Sequence, residues 1–265
     1  MKVGMAGRFF AGNWRPPADE ISFAAGAGFD AIQIRSDRPG GIEDDLRTDL
    51  GLVREDLDAA GIEPVLEMLV RLDDDAREHR TGDTLAEALA RNLAAIRVLG
   101  CRRVHVHPAL QHPREGLERR LEPALAEAAA LARANGFVLG LEHNSAEELL
   151  FARPRDCARA LDAVPELGFV WDVNHTAPGD LEAFESLLPH ATLVHLSDTP
   201  LPETNYHLPL GLGSVDLGGT AAALATAGFA GPVVLEIGGL PRSGGFGRDT
   251  DDALRDSRRR LLEAA

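Results

Sequence analysis

The chain has 265 residues, and 42 acidic against 27 basic side chains give it a formal net charge of -15, which opposes binding to a nucleic-acid backbone. Its 45% hydrophobic and 26% charged residues are the balance of a soluble globular protein. Two cysteines, Cys101 and Cys157, stand far apart with no CxxC spacing, so no disulfide framework or thiolate zinc site is encoded and a reducing cytoplasm is the expected compartment.

The opening segment, residues 1–14, has no long apolar stretch after its one lysine, and no run approaches the ~18–20 apolar residues of a membrane span. Neither secretion nor a membrane partner is expected. Lys2 is the sole lysine, so an imine-forming aldolase or pyridoxal enzyme would have to build its Schiff base on the second residue. Both classes are set aside.

In chain order, short apolar runs predict strands at Lys2 to Ala6, Ala31 to Arg35, Pro64 to Val70, Arg103 to His107, Val138 to Glu142, Phe169 to Asp172, Thr192 to His195 and Pro232 to Ile237. Several are nearly continuous in Val, Ile and Leu, as expected of parallel strands buried on both faces. Between them, Leu85, Leu89, Leu93, Ile96 and Leu99 recur at helical spacing within Thr84 to Leu99. Leu117, Leu121, Leu125, Ala128 and Leu131 do the same within Glu115 to Ala134, and Gly100 and Gly136 follow as C-terminal caps. Eight strand–helix units use nearly the whole chain, which predicts one α/β domain over residues 1–265, a closed (β/α)8 barrel. An open doubly wound sheet is disfavoured because Gly4, Gly7 and Gly12 after the first strand do not match GxGxxG. Two long irregular stretches, Asp198 to Ser214 and Gly238 to Thr250, are expected to serve function.

The chemistry collects at the ends of the last four strands, which carry Glu142, Asp172, His195 and Glu236. A parallel barrel opens all these ends on one face, so the four side chains are expected to converge. Three carboxylates and an imidazole brought together would repel and suffer desolvation, and a divalent cation removes that conflict. The mixed oxygen and nitrogen donors suit one Mn, Mg, Co or Zn ion. A lone strand-end carboxylate is ordinarily a helix cap or ion-pair partner; four on consecutive strands favour the metal reading. His175, three residues after Asp172, is placed to reach a substrate oxygen. Alternation within Val104-His105-Val106-His107 puts both histidines on one side, with His107 at the strand end read as functional and His105, deeper, as structural. His207 lies in the long loop, and Trp14 and Phe10 after the first strand could cover the apolar face of a sugar ring.

These residues carry a resemblance. Leu141-Glu142-His143-Asn144, Trp171-Asp172-Val173-Asn174-His175, His195-Leu196-Ser197-Asp198, His207-Leu208-Pro209-Leu210-Gly211 with Gly213, and Leu235-Glu236-Ile237 resemble the ordered motifs of the xylose isomerase-like barrels. That superfamily holds sugar isomerases and epimerases, inosose dehydratases, hydroxypyruvate isomerases and nucleases of the endonuclease IV type. The resemblance implies Glu142, Asp172, His195 and Glu236 as metal ligands, Glu142 and Glu236 also as the acid/base pair, and His175 and Glu148 as groups holding substrate oxygens; His107, His207 and Trp14 join the expected substrate site by their own positions. It implies an isomerase or epimerase of a small sugar or polyol-derived ketone acting through an enediolate. A lyase such as an inosose dehydratase, an abasic-site phosphodiesterase, and a barrel that binds without catalysis are the rivals. The sequence departs from the epimerase pattern in having no arginine from Ser197 to His207. It departs from the nuclease pattern in having no histidine on the third strand and Asn205 in place of an aspartate. Self-association is left open.

Overall fold

The computed structural model describes residues 1–10, 13–36, 41–71, 81–109, 117–146, 150–239 and 243–265. Among them, eight parallel strands close into a barrel in sequence order: β1 (Lys2–Ala6), β2 (Ala31–Ser36), β3 (Glu63–Arg71), β4 (Arg103–Ala109), β5 (Val138–Glu142), β6 (Gly168–Asp172), β7 (Ala191–Leu196) and β8 (Pro232–Leu235). The register Met5↔Leu235 seals β1 to β8. All eight expected strands are present, and β8 stops one residue before Glu236, whose backbone N–H still donates to the Leu196 carbonyl at 3.1 Å.

Helices fill the crossovers. They are α1 (Pro17–Gly26), α2 (Ile42–Leu46), α3 (Leu50–Ala60), α4 (Thr81–Leu99), α5 (Leu117–Ala134), α6 (Pro154–Ala163), α7 (Leu181–Glu185), α8 (Leu217–Thr226) and α9 (Asp251–Ala264). Their starts follow from side chains that accept free amide N–H groups: Asp49 for α3, Asp216 for α8 and Thr250 for α9. The leucine stripe of α4 turns inward, with Leu85, Leu89, Ile96 and Leu99 all buried against the barrel. Gly100 directly after α4 and Gly136 two residues after α5 adopt φ of 70° and 81°, the left-handed conformation that lets the chain turn toward the next strand. No helix among the described residues is long and apolar enough to cross a membrane.

Strand alternation then sorts the barrel interior into layers. At the amino-terminal ends of the strands, Glu63 lies 3.2 Å from Lys2 and also pairs with Arg103. One turn of the pleat higher comes an apolar layer of Ala31, Val65, Val170, Leu193 and Val234, with Ala6 packed against it. Above that, at the carboxyl ends, the inward residues are polar: Gln33, Glu67, His105, Glu142, Asp172 and His195, all buried.

Candidate metal and substrate site

The four strand-end residues meet. Glu142, Asp172, His195 and Glu236 each offer a donor atom within 4.8 Å of the others. Their convergence follows from the register, which sets Asp172 beside His195 and His195 beside Val234, two residues before Glu236. His195 Nδ1 lies 3.0 Å from Glu142 Oε1 and 3.5 Å from Glu236 Oε2. Asp172 Oδ1 accepts from the Asn174 N–H at 2.8 Å, which aims the carboxylate without using its other oxygen.

That other oxygen, Asp172 Oδ2, is buried without a hydrogen bond, and so is Glu142 Oε2. His175 Nδ1 is 3.2 Å from Asp172 Oδ2, but its N–H is directed at the His143 carbonyl, 3.0 Å away. His105 and His107 each bring a ring nitrogen to 3.4 Å from Glu142 Oε2 without making a hydrogen bond to it. Among the described residues no arginine or lysine pairs with Glu142, Asp172 or Glu236. A buried carboxylate oxygen left unsatisfied costs on the order of 1–3 kcal/mol, so two of them beside a histidine fit a site completed by a cation.

The electrostatics agree. Burial opposes a charge on His195, yet the carboxylates of Glu142, Glu236 and Asp172 outweigh it and raise its pKa to about 10. Burial likewise opposes ionisation of Glu142, but His107, His195 and His105 hold it well below the usual carboxylate range. The cluster therefore selects positive charge at its centre. His195 Nε2 lies 2.7 Å from Gln33 Oε1, and Gln33 Nε2 donates to Glu67 Oε2 at 2.9 Å. The Gln33 amide is thereby oriented with its oxygen toward His195, which keeps the proton on Nε2 and turns Nδ1 toward the carboxylates.

A second arc borders the first. Burial raises the Glu67 carboxyl, but Arg35 and the imidazoles of His107, 3.7 Å away, and His105 overcome that and bring it to about 2. Glu67, His107 and Glu142 again present donors within 4.8 Å. His107 Nε2 is held 2.7 Å from Asn144 Oδ1. The imidazoles of His107 and His175, centroids 5.8 Å apart, and of His175 and His207, 6.0 Å apart, line one side of the barrel mouth. His207 is carried there by the loop after β7, with a left-handed φ of 52°; its ring bridges the Glu236 carbonyl at 3.1 Å and the Asn205 side chain at 2.8 Å.

Several expectations need restating. His105, read as structural, is as close to Glu142 as His107 is, because an inward residue two positions deeper still reaches the long Glu142 side chain. Trp14 is committed to α2, its indole N–H donating to the Asp45 carbonyl at 3.1 Å and its ring covered by Arg47 at 4.9 Å. Glu148 lies outside the described residues. Gln33 and Glu67 were not anticipated, although a polar residue inside an apolar parallel strand was the available signal.

A closed (β/α)8 barrel with carboxylates and imidazoles gathered at the carboxyl ends of β5 to β8 defines a class of barrel with a polar, cation-compatible mouth. Within that class, residues 21–264 match the family described as the xylose isomerase-like TIM barrel, and the chain belongs to it. No curated protein sequence matches the chain. Among solved structures it is similar to D-allulose 3-epimerase from Methylomonas sp. in complex with D-allulose, with 17% identity and a TM-score of 0.81 over 100% of this chain and 97% of the other. It is also similar to 3-keto-D-glucoside 4-epimerase, YcjR, from E. coli, with 20% identity and a TM-score of 0.77 over 99% of both chains. The IolI protein with a bound zinc atom gives 18% identity and a TM-score of 0.81 over 100% of this chain and 98% of the other.

Proposed function

We propose that this protein is a divalent-metal-dependent isomerase or epimerase of a small sugar or polyol-derived ketone. The observation that carries the reading is the convergence of Glu142, Asp172, His195 and Glu236 with two carboxylate oxygens buried and unpartnered. These four residues would hold the ion, and its donor set suits Mn, Mg, Co or Zn. When bound, the ion supplies electrostatic stabilisation to the negative charge that develops on the substrate's oxygens. Glu142 and Glu236 act as the acid/base pair, one removing the proton from the carbon beside the carbonyl and the other returning it. The substrate passes through an enediolate, and the dry floor of the barrel brings carboxylate and carbon-acid pKa values closer together. His175, His107 and His207, along the mouth, orient hydroxyl and carbonyl oxygens. The zinc in the IolI structure and the sugars named for the epimerases support the class of reaction. A lyase of the dehydratase kind would use the same proton abstraction and then expel a β-hydroxyl.

The test is an exchange experiment. Chelated protein should be inactive on a panel of ketoses and regain activity with Mn or Co. In deuterated water the product should carry deuterium at the carbon beside the carbonyl. Clean conversion without deuterium would defeat the proton-exchange mechanism, and loss of water from the substrate would select the lyase. Incision of abasic DNA at moderate salt would select the phosphodiesterase, which the net charge of -15 disfavours.

A further inference from the structure

Two motifs, His195-Leu196-Ser197-Asp198 and the run from His207 to Gly213, stand out in the sequence, yet the proposed chemistry draws only on His195 and His207. Asp198, two residues after β7, joins the two motifs. It is buried, and among the described residues no arginine or lysine pairs with it; three main-chain N–H groups converge on its carboxylate instead. Oδ1 accepts from Thr199 at 2.9 Å and from Val215 at 3.0 Å, and Oδ2 accepts from Gly211 at 2.7 Å. The main chain of Asp198 also pairs with Leu208 in both directions, at 2.8 and 2.9 Å. One residue therefore ties together the start, the return and the far end of the loop over residues 198–215. N–H bonds to a carboxylate are roughly twice as strong as those to a neutral acceptor, so the side chain organises the backbone around it.

The loop is shaped to this carboxylate. A Cβ on Gly213 would lie 2.4 Å from Asp198 Oδ1 and 2.4 Å from the Thr199 carbonyl oxygen, so the loop closes over the carboxylate only with glycine there. What the clasp holds is His207, the neighbour of Leu208. His207 and Asn205 have left-handed φ of 52° and 63°, a conformation costly for residues with a Cβ that persists where the surroundings fix the chain on both sides. On the upstream side the Asn205 N–H donates to the Asn174 carbonyl at 2.9 Å, and the Gly238 N–H donates to the His207 carbonyl at 3.0 Å. On the downstream side the chain is held by Asp198. The result is an imidazole set beside Glu236: His207 Nδ1 lies 3.1 Å from the Glu236 carbonyl oxygen and 4.0 Å from Glu236 Oε2. A carbonyl oxygen can only accept, so Nδ1 carries a proton there.

We propose that Asp198 is a positioning residue: its carboxylate clasps the loop after β7 and thereby holds the His207 imidazole beside Glu236, where that ring meets the substrate's oxygens. The use of the ring on substrate rests on the sugar-converting reading, whereas the clasp itself stands on the loop alone. NMR of the full chain with 15N-labelled histidine, in magnesium buffer, reads the ring whether or not the ion binds, and His207→Gln assigns its signals. The Nδ1–H that the Glu236 carbonyl accepts should give a slowly exchanging resonance. Asp198→Asn, which turns an amide N–H toward one of the main-chain donors, should shift that resonance and speed its exchange with water about tenfold, the order of one charge-assisted bond lost, while the His195 signals stay in place. Gly213→Ala crowds the carboxylate without changing its charge; it should act in the same direction and serves as the test if Asp198→Asn does not fold. With a ketose that turns over, both variants should raise KM about three- to tenfold and leave kcat within about twofold. A merely structural carboxylate would lower the melting temperature and leave the His207 signals and their exchange untouched. That result, the absence of a protected His207 N–H in the parent protein, or a fall in kcat at unchanged KM would overturn the proposal. A panel of ketoses with no turnover in the parent protein would defeat the sugar-converting reading, and the ring signals would still decide the clasp.

Discussion

The two polar ends of the barrel interior handle charge in opposite ways. At the amino-terminal end, Glu63 is met by Lys2 and Arg103, and Arg103 also donates to the Thr192 carbonyl at 3.1 Å. At the carboxyl end, Glu142 and Asp172 are more deeply buried, yet their neighbours are imidazoles and each keeps one oxygen without a hydrogen bond. The lower end is a finished ion-pair plug, whose partners hold the strand starts together. The upper end keeps two carboxylate oxygens unsatisfied, an arrangement that suits an added cation. The apolar layer of Ala31, Val65, Val170, Leu193 and Val234 insulates one from the other. Stability and function are thereby assigned to opposite ends of the same strands.

The comparison predicts large chemical effects above and small energetic ones below. The largest is expected from Glu236→Gln, which keeps an oxygen for the cation and removes the base. Turnover and deuterium exchange should fall together by roughly 10²–10⁴-fold, while thermal stability of the metal-free protein stays unchanged or rises. Steady-state kinetics and calorimetry on one preparation check both halves.

Next in size is Gln33→Leu, which removes the acceptor for His195 Nε2 and leaves all four candidate cation donors in place. Competition with a chelator should show affinity for Mn or Co lowered by about 10–100-fold, with the fold intact by circular dichroism. An unchanged affinity would mean that packing alone orients His195.

A pH effect is expected from His143, which is stacked on Phe184 with centroids 4.0 Å apart and is lowered to about 4, first by burial and then by the charge on His175. In the unfolded chain this imidazole takes its proton near 6.5, so between those values the unfolded state binds more protons. Its contribution to stability is full above about 6.5 and is lost as pH falls toward 4. His143→Gln should flatten the slope of stability against pH in that window, measured by urea unfolding at several pH values.

The smallest effect belongs to the lower end. Arg103→Met breaks a partly exposed ion pair and leaves Lys2 on Glu63, so stability should fall by only about 1 kcal/mol. Metal affinity and turnover should stay within about twofold. A marked loss of metal binding would show that the two ends are coupled through the apolar layer.

Most of this architecture is legible in the residues themselves. Eight apolar runs, leucines at helical spacing and glycines after α4 and α5 determine strands, helices and turns, because each depends on neighbours within a few positions in the chain. The convergence of Glu142, Asp172, His195 and Glu236 is also readable, since closing a parallel barrel brings all strand ends to one face whatever the sequence separation. Tertiary structure alone decides the rest. That Gln33 from β2 orients His195 from β7, that His105 is as near Glu142 as His107 is, and that Glu67 joins the cluster all depend on how far side chains reach across the barrel. The same holds for Arg8, which the fold ties to Glu20 on α1 and to Asp251 on α9. Strand parity states which side a residue faces. Only the closed barrel states which partners it finds there, because those partners come from strands that no local pattern connects.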